Sequence, residues 1–256
     1  MIEKFYAIDF NCHHIAYAIK INDILIETSR FHDMPRRTIK ANQWIYNGKN
    51  TFEINLSINP RWENALDDNN FRFNIIEYSG INGEYSPQPV VQNEWYYSEG
   101  TQFPVNLKEE FTTDIPYGNW IWQDADTIDE ENFDRHSLNE YLKTLHACLK
   151  EKDFSRLEPL LKTKATELAE AYYLDINERF RDQQSFFTEE LFGNPAWDMQ
   201  PIDFDTLFYR FHAENRLVEV IKKEGKSPIL STSLDGYTFS IPLFLCHKNN
   251  QWILCR

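Results

Sequence analysis

Cys12, His13 and His14 stand side by side near the start of the chain, the run of thiol and imidazole donors that most invites a metal reading. A zinc site takes four ligands, usually from two clusters, and no second cluster with ligand spacing accompanies this one. Adjacent residues of a strand also point to opposite faces, so the two imidazoles are not expected to converge on one ion. Cys148, Cys246 and Cys255 lie scattered, without redox or zinc spacing, and all four thiols are expected to be structural in a reducing compartment. For nucleophilic or phosphoryl chemistry there is no Ser-His-Asp order, glycine-rich phosphate loop or HExxH spacing. No catalytic residue, metal or cofactor is therefore assigned, and the chain is not expected to be an enzyme. His146 lies beside an apolar helical stripe, where a structural role is expected. Arg36, Arg37 and Lys40 follow Pro35 as a small basic island, read as a solvated loop rather than an anion site.

The remaining chemistry is electrostatic. Of a net charge of -14, residues 61–136 carry sixteen acids and four bases, whereas residues 1–60 hold six acids and seven bases and residues 137–256 eighteen and fifteen. The same acidic segment holds Trp62, Tyr78, Tyr85, Trp95, Tyr96, Tyr97, Tyr117, Trp120 and Trp122. Aromatic rings supply contact area at low entropic cost, and like charge speeds encounter with a cationic partner while repelling anions. Trp95, Tyr96, Tyr97, Trp120 and Trp122, with Asp124, Asp126, Asp129, Glu130 and Glu131, are thus the expected docking residues for a basic protein. The alternative is that the rings are core and the acids a solvated face. Nucleic acid is disfavoured as a ligand, since its phosphates would be repelled.

These residues must be held by elements the hydrophobic pattern outlines. Residues 5–10, 14–21 and 24–27 are rich in strand formers, with Asn22-Asp23 as a hairpin turn. Residues 51–58 alternate cleanly, placing Phe52, Ile54, Leu56 and Ile58 on one buried face, and Asn47-Gly48 marks the turn into them. Further strands are expected over 71–78 and 90–97, bounded by Asp67-Asp68-Asn69-Asn70 and by Gly80, Gly83, Pro87 and Pro89. Short strands at regular spacing imply a β-sandwich over residues 1–123. Residues 124–136, acidic and weakly periodic, read as an exposed linker.

Residues 137–256 then read as an α+β domain. Ser137 to Glu140 forms a capping box before the stripe Leu138, Tyr141, Leu142, Leu145 and Leu149. A second helix is expected with Pro159 in its first turn, and a third opens at Asp175 and Glu178 and ends by Gly193 and Pro195. Strands follow over 206–211, 217–221, 237–246 and 251–255, broken by Glu214-Asn215, Asp235-Gly236 and Asn249-Asn250.

Helices followed by an antiparallel sheet, closing on Asn249-Asn250-Gln251-Trp252-Ile253-Leu254, resemble the NTF2-like superfamily of α+β cones. That resemblance implies a possible pocket, in which some members use an acid, a Tyr and a His. Asp203, Asp205, Tyr209, His212 and Tyr237 are the residues of those types here. The acidic aromatic segment from Arg61 to Asp134 and the segment Leu138 to Arg256 together resemble bacterial immunity proteins encoded beside contact-dependent or type VI secretion toxins. The resemblance implies a stoichiometric inhibitor that covers the active site of a basic toxin. An adaptor or chaperone for a secreted effector, or an NTF2-like small-molecule-binding domain, is the alternative. Met1 to Phe10 carries Glu3 and Asp9 and lacks the pattern of a secretory signal, and no apolar run is long enough to cross a bilayer. A cytoplasmic, non-membrane protein is expected.

Overall fold

The computed structural model describes residues 2–29, 36–61, 63, 69–81, 83–223, 225–233 and 236–256. These form an α+β protein with three α-helices and three four-stranded antiparallel sheets. The chain divides into two compact units, Met1–Asn119 and Trp120–Arg256. Trp62, Asp67, Asp68 and Asp235 lie outside the described residues.

The first unit contains β1 (Glu3–His13), β2 (Ile15–Ile21), β3 (Ile24–Thr28), β4 (Arg36–Lys40), β5 (Gly48–Ile58), β6 (Asn70–Ile81), β7 (Glu84–Tyr96) and β8 (Val105–Thr113). One sheet runs β4-β1-β6-β7 and the other β3-β2-β5-β8. Alternation explains their buried faces: β2 buries Ile15, Tyr17, Ile19 and Ile21 at every second position, and β5 buries Phe52, Ile54 and Leu56. The apolar faces of the two sheets meet through Phe10 and Tyr17, with ring centroids 5.0 Å apart, and through Phe52 and Phe73 at 4.9 Å. Such contacts add about 0.5–1.5 kcal/mol each beyond the area they bury. Ile58, in the last pair of the ladder, departs from the expected pattern and is exposed, although its partner Ile15 is buried.

Two segments differ from the sequence reading. Arg36, Arg37 and Lys40 are not in a loop; they belong to β4, an edge strand, where Arg36 pairs with Asp9 at 3.0 Å and Arg37 with Glu27 at 2.6 Å. β8 is an unanticipated edge strand whose alternating Asn106, Lys108 and Glu110 face outward. Charged side chains and the prolines of β7, Pro87 and Pro89, suit edge strands, which must avoid pairing with other chains.

Asn22 and Asp23 take φ of 50° and 63°, the left-handed pair that a two-residue hairpin turn requires. Asn22, Asn42 and Asn50 are buried and tie loop backbone to the sheets; Asn42 Oδ1 accepts the Tyr6 N–H at 2.6 Å and Asn50 Oδ1 that of Tyr46 at 2.7 Å. Near the end of the unit, Gly118 has φ +98°, and a Cβ there would lie 2.6 Å from the backbone nitrogen of Asn47. Gly118→Ala is expected to destabilise this unit by about 1–3 kcal/mol. A urea midpoint equal to that of the wild type would contradict this.

The second unit contains α1 (Arg135–Lys150), α2 (Phe154–Ala171), α3 (Ile176–Ser185), a π-helical turn over Phe186–Leu191, and β9 (Phe208–His212), β10 (Leu217–Ile221), β11 (Phe244–Lys248) and β12 (Gln251–Leu254), in sheet order β12-β11-β10-β9. The stripe Leu138, Leu142, Leu145 and Leu149 of α1 is fully buried and packs in one core with Leu157 of α2 and Val218 and Leu245 of the sheet. Asp134 caps α1, accepting the Ser137 N–H at 3.0 Å, so the helix opens before the expected capping box. Asp153 caps α2 in the same way and places Pro159 in the helix interior, beyond the first turn. Asp175 caps α3 as expected, accepting the Glu178 N–H at 2.8 Å. Asn249 and Asn250, at φ 52° and 60°, turn β11 into β12. Residues 237–243 do not form the expected strand; apart from isolated bridges at Tyr237 and at Ser240, the latter to Leu230, they run as irregular backbone.

Candidate functional site

The acidic segment is not a linker. The boundary between units falls after Asn119, and residues 124–136 belong to the second unit. The Asp126 N–H donates to His247 O at 2.9 Å, the Ile128 N–H to Asn215 O at 2.8 Å, and Arg216 Nη1 to Ala125 O at 2.8 Å. Ala125 and Ile128 are buried, while Asp124, Asp126, Asp129, Glu130 and Glu131 are exposed. Low periodicity conceals this because two buried anchors, Ala125 and Ile128, two backbone–backbone bonds and one bond from the Arg216 side chain hold the segment, not an apolar stripe. Asp126 lies 2.9 Å from His247 Nδ1. Asp129 is held below the ordinary carboxylate range by the Asn132 side chain and the Glu131 N–H. Among the described residues, Asp124, Glu130 and Glu131 have no ion pair within 4.0 Å.

The aromatic residues expected to accompany these acids separate into distinct environments. Trp120 and Trp122 are buried in the second unit, stacked with centroids 5.8 Å apart. The Arg256 guanidinium lies over both, 4.6 Å from the Trp120 ring and 4.4 Å from the Trp122 ring. They present no surface to a partner, which corrects their assignment as docking residues. Arg256 in turn pairs with Glu167 at 2.5 Å, both residues being buried, and Glu167 Oε1 accepts the Ile121 N–H at 2.7 Å. Burial raises the Glu167 carboxyl despite its cationic partner and lowers the Arg256 guanidinium. In the first unit, Trp95 and Tyr97 are half-buried against Phe103, at 6.0 and 6.4 Å, whereas Tyr96 is exposed beside Arg72. Strand alternation divides three consecutive aromatics between two faces, so they do not form one patch.

The residues weighed for chemistry do not converge. His13 and His14 have ring centroids 3.8 Å apart, against the expectation from strand alternation, because His14 adopts φ 56° at the break between β1 and β2. Among the described residues, no group of three or more His, Cys, Asp or Glu is placed to hold a metal ion. Asp203 caps a short 3₁₀ turn by accepting the Asp205 N–H, Tyr209 donates to Asn139 Oδ1 at 3.1 Å, and His212 is buried 3.4 Å from Glu219. Tyr237 is 79% exposed. His146 Nε2 lies 2.8 Å from Gln200 O, a contact between segments distant in sequence. All four cysteines are buried free thiols, and Cys246 and Cys255 have sulfurs 3.3 Å apart. No helix among the described residues is long and apolar enough to cross a membrane.

Sequence reading missed a cavity of about 430 Å³ in the second unit, between α2, α3 with its π-helical turn, and residues 239–242. Leu161, Leu168, Phe187, Phe239 and Ile241 supply apolar walls; Lys164, Arg179, Asp182 and Glu190 supply the charges. The signal for it lies in α2, where Lys164 interrupts the stripe Leu161, Ala165 and Leu168 at positions i, i+3, i+4 and i+7. A cation on an apolar helical face either reaches to solvent or borders a space, and only packing distinguishes the two.

No protein-family model, curated protein or solved structure matches the chain.

Proposed function

We propose that this chain is a binding protein of the immunity type, which neutralises a basic toxin by covering its active site. The observation that carries the reading is the row of exposed carboxylates at Asp124, Asp126, Asp129, Glu130 and Glu131, held on backbone anchored to the sheet. Charges on anchored backbone lose little conformational freedom on docking, and their field accelerates encounter with a cation by about 10- to 10³-fold at low salt. Within this reading the first unit is a β-sandwich, supported by the two apolar sheet faces in contact. The second is an NTF2-like cone, supported by three helices preceding a four-stranded antiparallel sheet. The protein acts in the cytoplasm, without nucleic acid, membrane or cofactor.

The test begins with affinity purification from the producing cell and identification of a stoichiometric basic partner. Association with that partner is then measured for a variant with Asp124, Asp126, Asp129, Glu130 and Glu131 all changed to Lys. Asp126 contacts His247 and Asp129 bonds the turn at Glu131 and Asn132, so circular dichroism and a second variant limited to Asp124, Glu130 and Glu131 control for folding, and association should slow at least about tenfold at low salt. Association as fast as that of the wild type, or capture of an acidic partner, would remove the electrostatic docking model. An adaptor for an effector's exposed apolar segment would instead bind with little dependence on salt.

A further inference from the structure

The cavity between α2, α3 and residues 239–242 has charges that its own lining leaves incompletely matched. Arg179 Nε is buried without a hydrogen-bond acceptor. The Lys164 ammonium, which has three protons to donate, makes one long bond, to Pro242 O at 3.4 Å. Asp182 and Glu190 line the same space, yet no ion pair within 4.0 Å joins either to Lys164 or Arg179 among the described residues. The apolar part of the lining comes from Leu161 and Leu168, which flank Lys164 on α2, and from Phe187, Phe239 and Ile241. The cavity thus sets two cations with few partners of their own beside apolar walls, a lining complementary to an anionic group on an apolar body.

We propose that this cavity is a binding site for a small apolar monocarboxylate, its head held by Lys164 and Arg179 and its tail laid against the aliphatic and aromatic walls. A carboxylate matches the planar fork of a guanidinium and leaves a second oxygen for an ammonium. The lining itself carries two cations and two acids, so a singly charged head is favoured over a phosphate dianion, which Asp182 and Glu190 would repel. A space of about 430 Å³ falls in the range of small-molecule pockets and accommodates a medium-length chain or a single ring system. This site is independent of the acidic segment and does not rest on the toxin-binding reading.

Binding should depend on pH. The charged and titratable groups around the Lys164 ammonium are Arg179 and Asp182 of α3, Glu190 of the π-helical turn, Cys255 and Arg256 after β12, and Glu167 on its own helix. Burial, with the like charge of Arg256 and Arg179, brings Lys164 down to about 7. A bound carboxylate favours the ammonium, so above pH 7 binding takes up a proton. Affinity then falls as pH rises, by at most about tenfold per unit.

Calorimetric titration of the full chain with octanoate, and separately with octan-1-ol, tests the site. Saturable binding of one octanoate per chain is expected, at least about tenfold tighter than octan-1-ol, since the alcohol lacks the charge that the two cations would bind. Arg179→Gln should weaken octanoate by a similar factor and leave octan-1-ol unchanged, with weaker octanoate binding by the wild type at pH 9 than at pH 7. Failure of octanoate to saturate, or equal affinity for the alcohol, would overturn the proposal on the wild-type chain alone. Unchanged octanoate affinity in a folded Arg179→Gln variant, or in Lys164→Gln if the first does not fold, would overturn the assignment of the head group.

Discussion

Glu167→Ala is expected to destabilise the second unit by about 3–5 kcal/mol, because it removes the carboxylate that pairs with the buried Arg256 guanidinium. Glu167 and Arg256 are 7% and 3% exposed, so solvent offers neither a substitute partner. Glu167 Oε1 also accepts the Ile121 N–H at 2.7 Å, and that donor would be orphaned together with the cation. Arg256 Nη1 retains Cys255 O at 2.7 Å and the faces of Trp120 and Trp122, which reduce the loss without cancelling a charge. The raised Glu167 carboxyl and lowered Arg256 guanidinium show that desolvation outweighs their attraction. The double change Glu167→Leu with Arg256→Met should therefore recover most of the lost stability, by removing both desolvated charges at once. Urea denaturation with an unchanged dependence on denaturant would give the difference directly. A Glu167→Ala midpoint within error of the wild type would mean that the pair is hydrated in solution and carries little of the fold.

Trp122→Ala should cost a similar amount, about 3–5 kcal/mol, through a cavity where a fully buried indole stood. Part of that cost belongs to the stack with Trp120 and to the cation–π contact with Arg256. Trp122→Phe should be much milder, since it keeps a ring over the guanidinium and removes an indole Nε1 that is buried without a hydrogen-bond partner. The two large effects share Arg256, so Glu167→Ala and Trp122→Ala should combine with less than the sum of their costs. Near-ultraviolet circular dichroism and thermal unfolding of the three variants would report this. If Trp122→Ala stayed as stable as the wild type and only hastened release of a protein partner, the ring would be an interface anchor after all.

The corrected role of the tryptophans bears on how the acidic segment reads. Trp120 and Trp122 adjoin six acids that run from Asp124 to Asp134 with no intervening base, and proximity in sequence suggests a common surface. In the fold the two classes separate: the rings stack beneath Arg256 and the carboxylates point to solvent. Arg256 stands more than a hundred residues away along the chain, so nothing local announces that it will cover the indoles. Buried cation–π and ion-pair partners of this kind are long-range by nature.

Local chemistry alone determined the turns, the caps and the faces. Asn22-Asp23 and Asn249-Asn250 accept left-handed backbone, Asp175 offers its carboxylate to a free N–H, and β2, β5 and α1 carry their own periods, so each element is specified within a few residues. Packing decided the rest. β4 and β8 are polar edge strands that exist because β1 and β5 offer them hydrogen-bonding edges. Ile58 follows the alternation of β5 yet is exposed, and residues 124–136 are ordered because β10, β11 and their turns supply partners for their backbone. Lys164 and Arg179 face a common cavity only because α2 and α3 pack with residues 239–242, and no spacing within either helix encodes that meeting.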